Sequence, residues 1–490
     1  METWAAWIYE HYQALLPAVL APLHFLVMFI AAAHVVLTKR DARAAIGWTG
    51  VIVLTPFIGS ILYFMLGINR IERKARKLRG KIGPAESSPG LEHCSQSQLE
   101  AIIKPYAPNL VGLTDFVRKV VEEPLLGGNK ITPLIGGDVA YREMLSAIDD
   151  AQISIGMETY IFDNDKAGKL FADAFCRARE RGVEVRVLVD DVGSRYTFPS
   201  CKRLFRERNI PFALFLRSLI PWQLQYTNMR NHRKILTIDG KIGFTGGMNI
   251  REGHMESSSS KHPVGDLHFR LDGPIVGQLQ ECFAADWEFC TNEHLQGYEW
   301  FPQLNECGVS LARGIADGPE LIFDKIQLTL QGAIDCAQKS LTIVTPYFLP
   351  DQPLIIALNV AAMRGVAVTI VLPEHGNLRL VQWAATAQLW QMLQRGCRVF
   401  VTPKPFDHTK LVIVDELWTL FGSANWDPRS LRLNFEFNVE AYDRELAQRM
   451  TALVEEKMLR GREVTLEEVD ARPLWKKLRD GTARLAQPYL

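Results

Sequence analysis

At 490 residues the chain is long enough for about two or three domains, each with its own core. Its 48% hydrophobic and 22% charged residues match an ordinary globular protein. Lys+Arg and Asp+Glu are both 55, which excludes a uniformly basic nucleic-acid coat, so any attraction for an anion has to be local.

The first 70 residues differ from the rest. Ala14 to Leu37 carries no Asp, Glu, Lys or Arg over 24 positions, and Ala44 to Asn69 none over 26. At ~1.5 Å rise per residue, either stretch is long enough to cross a hydrocarbon core of about 30 Å. A signal peptide begins with a basic region, whereas this chain begins METWAAWIYEHYQ, so a membrane anchor over 1–70 is expected. Arg70, Arg73, Lys74, Arg76, Lys77, Arg79 and Lys81 follow against a single Glu72, which assigns what comes next to the cytoplasmic side. The basic KRDAR at 39–43 opposes two full spans, since it would lie outside, and Pro56 and Gly59 allow the second stretch to re-enter instead. Two spans are the reading taken. His24 and His34 are expected to sit at the interface or between helices.

A basic segment and Gly/Pro/Ser-rich linker is expected over 71–110. Beyond it the chain repeats itself, with a first unit at 111–305 and a second at 306–490 that ends in a helix. AQISIGMETYIFDND at 151–165 answers to KSLTIVTPYFLPDQ at 339–352, and RGVEVRVLVDDVGS at 181–194 to RGVAVTIVLPEHGN at 364–377. Strands alternating with helices predict two α/β units, each a largely parallel sheet covered by helices. Packed about a pseudo-twofold axis, they would bring equivalent loops together into one shared central site. The eight cysteines include no C-x-x-C pair, which points to reduced thiols rather than a zinc or thioredoxin-like site.

The most specific repeat is NHRKILTIDGKIGFTGGMNI at 231–250 against DHTKLVIVDELWTLFGSANW at 407–426. His232, Lys234, Asp239, Gly247 and Asn249 recur at identical offsets as His408, Lys410, Asp415, Ser423 and Asn425. Residues two apart on a strand share a face, so each His lies beside its Lys. A Lys repels a cation, which makes the pair a poor metal site and leads us to expect no metal. Two His and two Lys around one cavity suit phosphate oxygens instead. One neutral His can attack phosphorus while the other, protonated, serves the leaving alkoxide. Lys234, Lys410, Asn249 and Asn425 would then stabilise the transition-state charge. Duplicated scaffold is the plain alternative, but apolar strands have no other need of a His and a Lys on one side. Asp239 and Asp415 either orient a His or are strand-end turn residues.

These segments resemble the H-x-K-x4-D signature of the phospholipase D superfamily. GGMNI at 246–250, FGSANWDPRSLRLNFE at 421–436, the anchor segment GWTGVIVLTPFIGSILYFMLG and the terminal ARLAQPYL look like the bacterial cardiolipin synthases. The resemblance covers about 14–490. It implies two phospholipase D-like α/β domains behind a transmembrane anchor in the bacterial cytoplasmic membrane, multi-pass, with the catalytic part on the cytoplasmic side. It further implies transfer of a phosphatidyl group between two phosphatidylglycerol molecules without a cofactor or metal, with His232 as nucleophile and His408 as acid, then base. Gly247, where the second repeat has Ser423, departs from the repeat and removes a hydroxyl from the substrate-binding set of Asn249, Asn425, Gly247, Ser423 and Glu436. Glu158, Tyr160, Tyr347 and Glu436 are family-like outside the signature, with packing or a buried ion pair as the alternative.

The expected partners are phosphatidylglycerol and anionic membrane lipid, with phosphatidylethanolamine open as co-substrate, and no nucleic acid. A homo-oligomer is left open. FALFLRSLIPWQLQY at 212–226 reads either as interfacial or as core, and the basic, amphipathic PLWKKLRDGTARL at 473–485 as a surface-binding or a capping helix. A hydrolase using water as acceptor, a nuclease with the same two His and an inactive membrane scaffold are the alternatives. A nuclease would not need the anchor, and a scaffold would not need both signatures.

Overall fold

The computed structural model describes residues 22–39, 42–67, 88–89, 91, 93–216, 229–318 and 324–487. The chain divides into two compact units, Met1–Lys74 and Ala75–Leu490.

In the N-terminal unit a helix over 22–38 is followed by helices Ala42–Leu54 and Pro56–Leu62 and a π-helical turn Tyr63–Gly67. The break falls at Thr55 (φ −139°, ψ 68°), because Pro56 has no N–H to continue the ladder and instead starts the next helix. At Gly59 a Cβ would overlap the Val51 carbonyl oxygen, so only glycine permits the bend. A small core of Ala31, Val35, Ile52 and Tyr63 joins the pieces. His34 Nδ1 lies 2.8 Å from the Tyr63 hydroxyl and His24 packs edge-on against Phe57, so both histidines serve helix packing.

The expectation of two spanning helices is not confirmed: among the described residues no helix is long and apolar enough to cross a membrane. The second apolar stretch is divided at Thr55–Pro56 into helices of 13 and 7 residues. Residues 14–21 and 68–69 of the two stretches, and the basic run 70–81, lie outside the described residues. The unit nevertheless turns apolar groups outward: Phe29, Leu37, Ile46, Leu54, Ile58 and Met65 are all more than half exposed.

The larger unit is built on one 15-stranded sheet. From its centre outward the first repeat lays down Leu126–Ile135, Leu267–Asp272, Ile242–Gly246, Ile235–Ile238, Ser154–Thr159, Glu184–Asp190 and Phe212–Phe215. The second repeat lays down the equivalents Ser310–Asp317, Glu436–Tyr442, Trp418–Gly422, Leu411–Val414, Ser340–Val344, Ala367–Pro373 and Arg398–Thr402 in the opposite direction, with Arg462–Val464 added at the edge. Leu126–Ile135 and Ser310–Asp317 pair antiparallel at the join, which makes the two halves pseudo-twofold.

Each half is mixed rather than largely parallel. Only the outer strands, joined by helical crossovers, run parallel: Ser154–Thr159 with Glu184–Asp190 with Phe212–Phe215, and Ser340–Val344 with Ala367–Pro373 with Arg398–Thr402. The strands after each His are tight antiparallel hairpins, Ile235–Ile238 with Ile242–Gly246 and Leu411–Val414 with Trp418–Gly422. Both hairpin turns take positive φ at two successive residues, Asp239 and Gly240 (51° and 61°), and Asp415 and Glu416 (50° and 52°).

The repeats share a continuous core. Leu267, Phe269, Leu279 and Phe283 of the first pack with Ile413, Phe421, Val439 and Met450 of the second, and Phe269 stacks on Phe421 with ring centroids 3.7 Å apart. Residues 94–110, expected to be linker, are structural: Leu99, Ile103, Ala107 and Leu110 lie in one core with Leu311, Leu330 and Ile343 of the second repeat. Helix Val111–Val121, expected to open the first repeat, instead joins that same core with the second. Buried Arg313 fixes it there, donating to the Thr114 carbonyl and to Glu440. All eight cysteines are free, and Cys307 is exposed. Of FALFLRSLIPWQLQY, residues 212–216 are described, and Phe212–Phe215 form the outermost strand of the first repeat.

Candidate active site

Each signature His enters just ahead of its hairpin and is held by the other repeat. The His232 N–H donates to the Phe435 carbonyl at 2.8 Å, and its Nδ1 lies 3.0 Å from Glu436 Oε2. The His408 N–H donates to the Gly265 carbonyl at 2.7 Å, and its Nδ1 lies 2.8 Å from Asp266 Oδ2. The two acids are themselves equivalents, since Gly247 N donates to Leu267 O and Ser423 N to Phe437 O, each one residue beyond its acid. A carboxylate on Nδ1 fixes the Nδ1–H tautomer and leaves Nε2 as the reactive nitrogen.

Both rings line one cleft of about 550 Å³, together with Asn249, Asn425, Tyr160, Tyr347, Arg230 and His254. The family-like tyrosines stand edge-on to the two imidazoles, Tyr160 at 5.2 Å from His232 and Tyr347 at 6.3 Å from His408, centroid to centroid. Asn249 Oδ1 accepts the Ile161 N–H at 3.1 Å, which leaves its amide N–H groups for the cleft; Asn425 donates to Ser430 Oγ at 3.2 Å.

The lysines sit one layer back. Lys234 Nζ donates to the His232 carbonyl at 2.6 Å and Lys410 Nζ to the His408 carbonyl at 2.7 Å, and both are buried beneath the cleft wall. Lys410 Nζ also lies 3.1 Å from each ring nitrogen of His408. Burial first, then the charge of the other lysine, draws Lys234 down to about 7 against the pull of Glu436. Lys410 is drawn to about 8 by burial, opposed by Asp266 and Glu436. Burial lowers His232, and burial with the Lys410 and Lys234 charges takes His408 well below the usual imidazole range.

The two acids are unequal. Burial works to raise Glu436, but His232, Lys234 and the Ser423 hydroxyl outweigh it and hold the carboxyl at about 2. Asp266 is raised by burial, with Lys410 opposing. The same pair explains the departure at 247: a Cβ on Gly247 would overlap Asp266 Oδ1, so the shorter acid occupies the space that Ser423 fills in the other repeat. Ser423 Oγ there donates to Glu436.

Asp239 and Asp415 make no hydrogen bond to a His among the described residues. Asp239 accepts the backbone N–H groups of Gln152, Ile153 and Ser154, and Asp415 those of Gln338, Lys339 and Ser340. Each ties its hairpin turn to the start of the neighbouring strand, which is the turn-residue role and not the orienting one.

Glu158 lies behind His232 in a buried network. Asn231 donates to Glu158 and Asp286 at 3.2 Å each, and Arg233 pairs with Asp286 at 2.5 Å. In the second repeat the residues flanking His408 are held with reversed charge, Asp407 and Thr409 by Lys457. Glu158, Cys282 and Asp286 have metal-ligand spacing among the described residues, but the Arg233 guanidinium and the Asn231 amide already occupy that position.

Sequence reading missed Asp266 and His254. Asp266 was detectable: GDLHFRLD and FEFNVEAYD each put an acid at the head of an apolar-alternating strand after the small-residue pair. His254, buried and held by burial at about 3, gave no such signal.

Comparison with known proteins places these residues in a wider set. A family model described as cardiolipin synthase, PLD-like domain, matches residues 144–287 and 330–458, and one described as phospholipase D-nuclease N-terminal matches 26–67. The major cardiolipin synthase ClsA of Bacillus subtilis (strain 168) is 31% identical over 481 residues, 95% of this chain and 98% of its own. A cardiolipin synthase of Staphylococcus aureus (strain Mu50 / ATCC 700699) is 29% identical over 490 residues, covering 98% of each chain. Among solved structures, the phosphatidylserine synthase of Haemophilus influenzae Rd KW20 superimposes with a TM-score of 0.60 at 13% identity, over 77% of this chain and 100% of its own; that likeness concerns the fold.

Proposed function

The chain belongs to the cardiolipin synthase family of phospholipase D-like proteins, and on that premise we propose that it converts two phosphatidylglycerol molecules to cardiolipin and glycerol through a phosphatidyl-histidine on His232. The observation that carries the reading is the pair of imidazoles on one cleft, each with its Nδ1 bound to an acid of the other repeat. Glu436 holds the single proton of the neutral ring on Nδ1, and burial, which lowers His232 against the pull of that acid, leaves Nε2 unprotonated, as a nucleophile requires. Attack on phosphorus forms the N–P bond and breaks the P–O bond to glycerol, which leaves with a proton from His408 Nε2. Burial and then the lysine charges hold His408 low, and a phosphodiester anion in the cleft offsets those charges and so favours its protonated form. The hydroxyl of a second phosphatidylglycerol then gives its proton to His408 and attacks phosphorus, which breaks the N–P bond and restores both histidines. Lys234 and Lys410 stabilise the charge from one layer behind the cleft wall.

The N-terminal unit supports a membrane setting. A helical unit with this many outward apolar side chains is at home in lipid, as an anchor in the bacterial cytoplasmic membrane. The basic run at 70–81 favours a cytoplasmic catalytic unit.

The test is to incubate the detergent-solubilised full chain with phosphatidylglycerol and EDTA, then resolve the lipids and measure free glycerol. Cardiolipin and glycerol in equal amounts, abolished by His232→Ala and by His408→Ala, are expected. Phosphatidic acid alone would replace the reading by hydrolysis, and full activity in both variants would refute the mechanism.

A further inference from the structure

The cleft opens between apolar lips. On the first-repeat side Tyr196 lines it, and Phe198, two residues on, is fully exposed. On the second-repeat side Leu378 and Leu380 line it and are each about half exposed.

Helix Leu474–Leu485 adjoins this second lip, seated on helix Arg379–Thr386. Ala483 packs with Val381, Ala384 and Ala385, and the Arg479 guanidinium stacks over Trp383 at 4.4 Å and over Trp475 at 5.5 Å. Buried Asp480 pairs with Arg472 and Arg479 at 2.7 Å each and so sets the rotation of the helix about its axis.

That rotation has a consequence for the opposite face. Leu474, Leu478 and Leu485 recur at i, i+4 and i+11, so they share one side, and that side points away from Asp480 and Ala483. They are 72%, 63% and 77% exposed. A surface helix of a globular protein turns such a stripe inward, whereas this one turns it outward. Exposed Lys477 and Arg484 run along one flank and Trp475 along the other.

We infer that helix Leu474–Leu485 and the adjoining cleft mouth dock on an anionic lipid surface, so that a lipid phosphate enters the cleft directly from the bilayer. Leu side chains rimmed by cations and a Trp match the boundary between acyl chains and anionic headgroups. Charge complementarity and continuity with the cleft both favour lipid over a protein partner. The inference rests on the phosphatidyl-transfer reading for the identity of the substrate, and not for the docking itself.

The test uses the full chain carrying Leu474→Glu with Leu478→Glu, assayed on phosphatidylglycerol in vesicles and on a short-chain phosphatidylglycerol below its aggregation concentration. The apparent KM on vesicles is expected to rise about tenfold or more, with turnover of the monomeric substrate unchanged. Lys477→Glu with Arg484→Glu should give a smaller rise that disappears at high salt. Equal loss on both substrates, or loss on neither, overturns the docking. If the unaltered chain turns over neither lipid, the phosphatidyl-transfer reading fails, and hydrogen exchange over 474–485 still decides the docking: protection by anionic vesicles upholds it, and none overturns it.

Discussion

Glu436→Gln is the most informative single change. It keeps the size of the side chain and removes the charge opposite His232 Nδ1, 3.0 Å away, where both groups are buried. Ser423 and Asn434 also donate to this carboxylate, so the one amide oxygen of Gln would be contested among three donors. A charge-assisted bond of this kind contributes roughly 1.5–3 kcal/mol, or about one to two powers of ten in rate. Loss of tautomer control adds to that, and kcat is expected to fall about 10²–10³-fold. Glu436 does not line the cleft, so KM should move less than about threefold.

Asp266→Asn, behind His408, should show a similar loss on phosphatidylglycerol. The two separate with phosphatidyl-p-nitrophenol, whose leaving group needs no proton. There Asp266→Asn should recover to within about tenfold of the unaltered enzyme, while Glu436→Gln stays slow. Rapid-quench single turnovers measure both. A Glu436→Gln enzyme within threefold of the original would refute the argument that the acid sets the imidazole, and recovery of Glu436→Gln alone would reverse the two His roles.

Gly247→Ser, which only copies the other repeat, should displace Asp266 and lower kcat about 10- to 100-fold, since misplacing a catalytic group by ~1 Å suffices for that; normal activity would show that Asp266 has room to move. Asp239→Ala leaves three backbone N–H groups without their acceptor and should lower unfolding free energy by about 1–3 kcal/mol in denaturant titration. Its kcat per folded molecule should stay within about threefold, and a loss like that of His232→Ala would restore a catalytic role for this Asp. With Lys234 at about 7 and Lys410 at about 8, the ammonium charge is present only below these values. In the free enzyme kcat/KM should therefore fall as pH rises from 7 to 8, beyond the decline already set by His408, the acid, which is held low, and its acid limb should lie below about 6.5 because the nucleophile His232 is lowered. A profile flat to pH 9 would contradict the buried-lysine account.

Much of the site was legible because duplication writes it twice. Matched offsets at His232 and His408, Lys234 and Lys410, and Asn249 and Asn425 identify a two-part site without knowledge of the fold, and a strand's period of two puts each His beside its Lys. The exchange of acids between repeats was not legible. Asp266 and Glu436 lie 142 and 204 residues from the His each one holds, and no local period links positions so far apart. The lysines illustrate the same limit: spacing puts them on the His face, but only packing decides that Nζ turns back to a carbonyl and does not line the cleft.

By itself, then, the chain's sequence determined the chemistry on offer, the repeat, and the apolar character of the N-terminal segment, because residue type and short-range periodicity are local properties. Tertiary structure decided which acid orients which imidazole, that Asp239 and Asp415 brace turns, that residues 94–121 complete the second repeat's core, and that the second apolar stretch breaks at Pro56. It also decided which way the stripe on Leu474–Leu485 faces: an amphipathic pattern names two faces, and only the buried Asp480 and Ala483 say which of them meets the protein.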